Sequence, residues 1–170
     1  AGWSLLRTDL EGRRHWGIKP GALFLASDGV ERIFASGGSG FHDGEGVECF
    51  SLADGRPLNF GNGKPKVDRP PGGGGRSDAV TGLAWARGKL YVSYARRDLV
   101  CVHGAESGAI EASWSVPAPR ALVARTAEEV LAISEGKVVR VRSGQAEPFI
   151  VDGVDEPVSL ALDAAGNVFV

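Results

Sequence analysis

The 170-residue sequence predicts an all-β chain built from four-stranded antiparallel units that recur about every 40 residues. Three observations carry this. Glycine is abundant, at 25 residues beside 9 prolines and with no collagen-like period, so the chain turns often. The apolar runs are short, as in Lys89–Ala95 (KLYVSYA) and Glu129–Ser134 (EVLAIS), and no long segment shows helical periodicity. Three segments also align with one another. Val80-Thr81-Gly82-Leu83-Ala84-Trp85 leads to Leu90-Tyr91-Val92-Ser93. Pro119-Arg120-Ala121-Leu122-Val123-Ala124 leads to Val130-Leu131-Ala132-Ile133-Ser134. Pro157-Val158-Ser159-Leu160-Ala161-Leu162 leads to Asn167-Val168-Phe169-Val170. Leu83 to Leu122 is 39 positions, and Leu122 to Leu160 is 38. This period, with several short strands per unit, is that of a β-propeller.

The elements follow in order. Leu5–Thr8 and Arg13–Trp16 flank Glu11-Gly12 as a hairpin, half of a blade within residues 1–18. The first full blade, 22–60, starts with strands near 22–26 and 32–36 around Asp28-Gly29. It continues at 47–51, turns at Asp54-Gly55 and returns to Phe60. Residues 61–79 are almost all turn formers and charges, and read as an irregular, exposed, mobile Gly/Pro loop inserted between blades. The second blade, 80–116, has strands near 81–85, 90–95, 99–103 and 109–115. The third, 119–151, has strands near 130–134 and 138–142 and a return through Phe149. Residues 157–170 form another half blade, with a strand near 167–170. Glycine after a small polar residue supplies the positive φ of tight hairpins. The expected whole is an incomplete ring of about four blades, an open arc cut from a larger ring, because the chain begins at Ala1, contains no Met and stops at Val170 within a strand-like run. Leu23, Leu83, Leu122 and Leu160 are expected at equivalent buried positions, with Leu25, Trp85, Val92, Ile133 and Phe169 also inside. Trp16, Phe60 and Trp114 end return strands and are expected to pack between neighbouring blades.

Charge narrows the function classes. Nineteen basic and 21 acidic residues leave a net charge of -2, which gives neither nucleic acid nor an anionic membrane a basic face to bind. No stretch approaches the roughly 20 apolar residues of a membrane helix, so no membrane insertion is expected. Cys49 and Cys101 lie in apolar runs and read as buried thiols; they leave the redox compartment open.

The segment Pro157-Val158-Ser159-Leu160-Ala161-Leu162-Asp163-Ala164-Ala165-Gly166-Asn167-Val168-Phe169-Val170 resembles the first half of an NHL repeat, with Ser159 at the position usually held by Gly. Val80–Ser93 resembles the same pattern without its Asp and Asn, and residues 119–134 match in apolar spacing alone. The Gly12–Trp16 hairpin is similar to those of quinoprotein-like propellers, in which a Trp docks each blade. The resemblance implies a propeller and leaves its activity open, because function lives in sites grafted on folds. It implies an extracellular or periplasmic bacterial location. For this chain it also implies partners in the remaining blades of a longer parent.

Candidate chemistry is sparse. Asp163, Gly166 and Asn167 are assigned to a structural turn, with the carboxylate bonding backbone and Asn tolerating the left-handed region. Phe41, His42, Asp43 and Glu45, within the loop Gly40–Gly46, are the binding-loop candidates. His42, Asp43 and Glu45 are weak metal-ligand candidates, since three neighbouring loop residues rarely converge on one ion. Some NHL-like enzymes, the amidating lyases, hold zinc with histidines from several blades. His15 and His103 read instead as strand histidines. Gly72–Gly75 lacks the Lys-Ser/Thr ending and helix of a phosphate cradle. No catalytic residue, cofactor or firm metal site is named. The expected function is non-catalytic binding or scaffolding toward a protein or carbohydrate partner. The alternative is part of an NHL- or quinoprotein-like lyase, hydrolase or dehydrogenase with its site over the central channel.

Overall fold

The computed structural model describes residues 5–18, 22–36, 46–72, 79–150 and 153–170. Strands β1 (Leu5–Thr8) and β2 (Arg14–Ile18) form a two-stranded hairpin. The first full blade follows, with β3 (Phe24–Ser27), β4 (Arg32–Ser36), β5 (Val47–Ser51) and β6 (Pro57–Leu58) paired in sequence order. The second comprises β7 (Gly82–Ala86), β8 (Lys89–Tyr94), β9 (Leu99–Gly104) and β10 (Ile110–Ser115). The third comprises β11 (Arg120–Ala124), β12 (Glu129–Ser134), β13 (Lys137–Arg142) and β14 (Gln145–Ile150). A last hairpin joins β15 (Ala161–Leu162) and β16 (Val168–Phe169). Every pairing is antiparallel between sequence neighbours. Among the described residues the one helical element is a 3₁₀ turn at Ala95–Arg97. All-β blades in an unclosed arc are therefore the architecture.

The register explains the repeat. Leu83 pairs with Val92, Ala84 with Tyr91 and Trp85 with Leu90. In the last hairpin Ala161 pairs with Phe169 and Leu162 with Val168. Phe169 thus stands where Tyr91 stands in the second blade.

The core lies between blades. Phe34, Val47 and Phe60 of the first blade cluster with Leu83, Leu90 and Val92 of the second. Tyr91, Val100 and Val102 of the second cluster with Leu122, Val130 and Val141 of the third. Leu5 and Trp16 pack on Ile33, Ala35 and Phe50, and Leu160 packs on Leu131, Ile133 and Val138. Leu83, Leu122, Leu160, Val92 and Ile133 are buried as expected, whereas Trp85 is half-buried.

Three core expectations need correction. Leu23 is 66% exposed, Leu25 50% and Phe169 57%. The cause is a missing neighbour. On β3, Phe24 and Ala26 face the second blade, so Leu23 and Leu25 alternate to the other face. Among the described residues the hairpin β1–β2 packs on β4 and β5, with Ala22 and Leu52, and leaves Leu23 and Leu25 uncovered. Phe169 has Val168 packed on the third blade and itself points away from it.

The expected exposure of residues 61–79 also fails in part. Val67 is 4% exposed and joins Phe34, Val47, Phe60 and Val80 in the first interblade core. Its amide donates to Val47 O at 3.1 Å, and Asp68 N donates to Gly108 O at 2.8 Å. Arg97 Nη2 donates to Pro71 O at 2.7 Å. One apolar side chain and a few backbone bonds suffice to tie the described part of this irregular segment to two blades.

Aromatic side chains join successive blades through glycine. A Cβ placed on Gly55 would lie 2.7 Å from the Trp16 ring, one on Gly108 2.8 Å from Phe60, and one on Gly144 3.0 Å from Trp114. Each glycine ends the turn between the third and fourth strands of the following blade, with φ of 73°, 71° and 84°. Glycine is needed there twice, for the left-handed backbone and for the ring lying on it. Trp16 Nε1 also donates to Leu52 O at 3.1 Å, fixing the ring's direction.

Candidate functional site

The binding-loop candidates Phe41, His42, Asp43 and Glu45 lie outside the described residues, and with them the weak metal set His42, Asp43 and Glu45. The described chain shows what borders the loop's C-terminal end. The inserted segment runs beside it: Lys66 Cδ lies 3.3 Å from the position of a Cβ on Gly46, and Lys66 bridges Glu48 across an isolated β-bridge. Lys66 Nζ stands 3.5 Å from Glu48 Oε1, and Lys64 Nζ donates to Asp68 Oδ1 at 2.6 Å. The inserted segment thus lies against the described end of the loop, at Gly46 and the start of β5. Lysines and carboxylates of both signs face solvent there.

The turn residues form a closed network. Asp163 Oδ1 accepts from Ala165 N at 2.9 Å and from Asn167 N at 2.8 Å, and Oδ2 accepts from Asn167 Nδ2 at 2.6 Å. Gly166 sits at φ 85°. The Asn167 side-chain bond, with the turn amides, holds the Asp163 carboxyl below the usual carboxylate range. Asp28 does the same work at the matching turn between β3 and β4, its Oδ1 accepting from Val30, Glu31 and Arg32 amides at 2.8, 2.9 and 2.9 Å. Burial opposes ionisation of Asp28, but the three amides overcome it and keep its carboxyl low. The sequence missed Asp28 in this role, although Asp-Gly followed by a strand was the available signal.

His103 and the two cysteines are committed to packing. His103 is fully buried, with Nδ1 3.2 Å from Gly108 O, the glycine on which Phe60 rests. Burial pushes its imidazole toward the neutral form, with the Gly108 carbonyl bond opposing. His15 lies at the surface, Nε2 4.0 Å from Asp9 Oδ2. Cys49 and Cys101 are buried, and burial pushes the Cys49 thiol up to about 11. A thiol so raised is neither nucleophile nor ready metal ligand. Buried Glu129 accepts from Arg125 Nη1 at 2.7 Å and from Arg142 Nε, clamping the edge of the third blade. Among the described residues no three His, Cys, Asp or Glu side chains gather as a metal set.

No protein-family model matches this sequence, and no curated protein does. Solved structures do match in shape. The computationally designed Ika4 protein superposes with a TM-score of 0.60 at 16% identity, over 90% of this chain and 91% of that one. Virginiamycin B lyase from Staphylococcus aureus superposes at 0.66 and 12% identity, over 97% of this chain and 55% of the lyase. The WD40 β-propeller domain of Doa1 superposes at 0.61 and 9% identity, over 93% of this chain and 51% of that one. The chain spans about half the length of the lyase and of the Doa1 domain. At these identities the likeness shows the fold alone, and that fold is the β-propeller.

Proposed function

We propose that this arc of β-propeller blades is a non-catalytic binding or scaffolding segment of an extracytoplasmic protein, directed at a protein or carbohydrate partner. The observation that supports it is the use made of the chemistry-bearing side chains. His103, Cys49 and Cys101 are spent on blade packing, and the Asp163 and Asp28 carboxylates are spent on turns. The contact surface is the loop Gly40–Gly46 together with the Lys64–Asp68 stretch beside its root, because propeller loops on a rigid scaffold carry recognition. Labelled chain applied to a glycan array and to a displayed peptide library tests this. Saturable binding that disappears when residues 40–46 are replaced by a Gly/Ser linker is the expected result. Binding unaffected by that replacement would reject the surface.

The second reading is an NHL- or quinoprotein-like enzyme with its site over the central channel. Likeness to a lyase favours it. Loss of intact virginiamycin B on incubation with the chain, or zinc retained at one equivalent after dialysis, would establish that reading over the first.

A further inference from the structure

We infer that His103 is an acid-sensitive latch: as the neutral imidazole it fastens an excursion of the first blade onto the second, and a second proton on its ring lets that excursion go. The excursion comes from a break in the outer strand of the first blade. Leu58 of β6 pairs with Cys49 and Pro57 with Phe50. The next places along β5 are taken instead by Lys66, bridged to Glu48, and by Val67, whose amide donates to Val47 O at 3.1 Å. Residues 59–65 leave the strand between those places. They turn tightly, with Gly63 N donating to Phe60 O at 2.8 Å and Phe60 N to Lys64 O at 2.9 Å.

The turn between β9 and β10 receives the excursion. Gly61 N donates to Glu106 O and Asp68 N to Gly108 O, both at 2.8 Å, and the Phe60 ring lies over Gly108. Arg32 Nη1 reaches the same turn from β4, 3.3 Å from Ala105 O. His103 sits at the foot of this turn, fully buried, with Nδ1 3.2 Å from Gly108 O. One carbonyl therefore holds both the buried ring and the far end of the excursion. The buried Nε2 has no partner among the described residues. The fold does not demand an imidazole here. His103 pairs with Leu90 as Phe50 pairs with Ile33, and each precedes the residue whose carbonyl accepts from the turn glycine, Gly108 or Gly55. In the first blade, then, a phenyl ring fills the place beneath the Trp16 contact.

The charged groups around the ring do not supply the missing acceptor. On the excursion Asp68 is paired with Lys64, and on β10 Glu111 takes the ammonium of Lys89 from β8. Glu106 is exposed in the turn, Arg32 is spent on the Ala105 carbonyl, and the Cys49 thiol is held neutral by burial. Asp68 and Glu111 favour a charged ring through space, but burial outweighs them. A second proton therefore buries a cation whose Nε2–H has nothing to bond, and lifting the excursion off the turn gives that group water. Because the folded pKa lies below the open one, the latch is shut above about pH 6.5 and loosens as pH falls toward the folded value.

Hydrogen exchange on the chain at pH 7 and pH 5 tests the latch, read as protection factors so that the intrinsic pH dependence of exchange cancels. The Gly61 and Asp68 amides should be protected at least about tenfold less than those of β12 and β13, which marks an opening smaller than unfolding. Their protection should fall at least about fivefold from pH 7 to pH 5, within the bound of about 25-fold that one proton with an open-state pKa of about 6.5 allows. The fall should vanish in His103→Gln and in His103→Phe, the latter installing the ring type that Phe50 supplies in the first blade. Ring-nitrogen chemical shifts of the parent at pH 7 should show the Nδ1–H tautomer. Four results would each overturn the inference. One is equal protection of Gly61 and Asp68 at the two pH values. Another is exchange of these amides only together with β12 and β13. The others are a fall that survives in either folded variant, and an Nε2–H tautomer in the parent.

Discussion

Tyr91 and Phe169 occupy the same position in the same strand of two blades, yet one is fully buried and the other 57% exposed. Tyr91 has strands on both sides. Its ring lies 5.6 Å from Trp114 in its own blade, and its hydroxyl donates to Ala127 O of the next. Among the described residues Phe169 has no third and fourth strand beside it and no following blade. Leu83 and Leu25, paired with Val92 and Ala35, make the same contrast, at 6% and 50% exposed. In a propeller, burial belongs to the neighbouring blade, and a repeat position confers it only where that neighbour stands. A four-strand sheet is therefore no stable unit by itself, and stability is a sum over interfaces.

The sharpest way to break this comparison is to remove a locking aromatic. Phe60→Ala should cost about 3–5 kcal/mol of unfolding free energy, because the ring is buried between blades and sits on Gly108. Phe169→Ala should change stability by less than about 0.5 kcal/mol. Urea unfolding of both variants checks this, and equal costs would contradict it. Next in size, Leu83→Ala should cost about 2–5 kcal/mol and Leu25→Ala less than about 0.5.

The glycine turn gives a smaller effect and a cleaner control. Gly108→Ala must strain a φ of 71° and also drive a Cβ into the Phe60 ring. Gly136→Ala strains a φ of 75° with nothing within 4 Å. The backbone part costs about 1–2 kcal/mol in both. The Phe60 ring should make Gly108→Ala the worse of the two by at least about 1 kcal/mol, which overpacking of a filled site predicts. Thermal or urea unfolding reads the difference.

The smallest effect is on pH. The folded chain depresses the His103 pKa below its unfolded value near 6.5. His103 then contributes stability that is fully present above about pH 6.5 and is lost as pH falls toward the folded pKa. Its Nδ1–H donates to Gly108 O, and its buried Nε2 has no partner among the described residues, so a second proton would find no acceptor there. Urea midpoints should fall from pH 7 to pH 5 by more in the parent than in His103→Gln.

Much of the fold was legible because its signals are local. Hairpins announced themselves through Asp54-Gly55, Ser107-Gly108 and Ser143-Gly144, and strands by short apolar runs. Val67 was hidden because a single apolar residue among glycine, proline and charge carries no period. Trp16, Phe60 and Trp114 were read as interblade side chains, but not their glycine partners. Those lie 39, 48 and 30 positions onward, an irregular spacing that the insertion and short connections create. Burial of Glu129 between Arg125 and Arg142 was equally invisible, since pairing across a strand is set by register. For the candidate site, the sequence pointed to Phe41–Glu45, and the structure adds that Lys66 and Val67 run along the loop's described end.

Hydrogen exchange on dilute, monomeric chain tests the central claim most directly, since that claim is an open arc stabilised blade against blade. Amides of β8, β9, β12 and β13 should exchange only through the slowest opening of the molecule. Amides on the outer edges of β1 and β16 should exchange near the unprotected rate. Uniform slow exchange that includes both edge strands in the monomer would contradict the arc and show a ring closed within one chain.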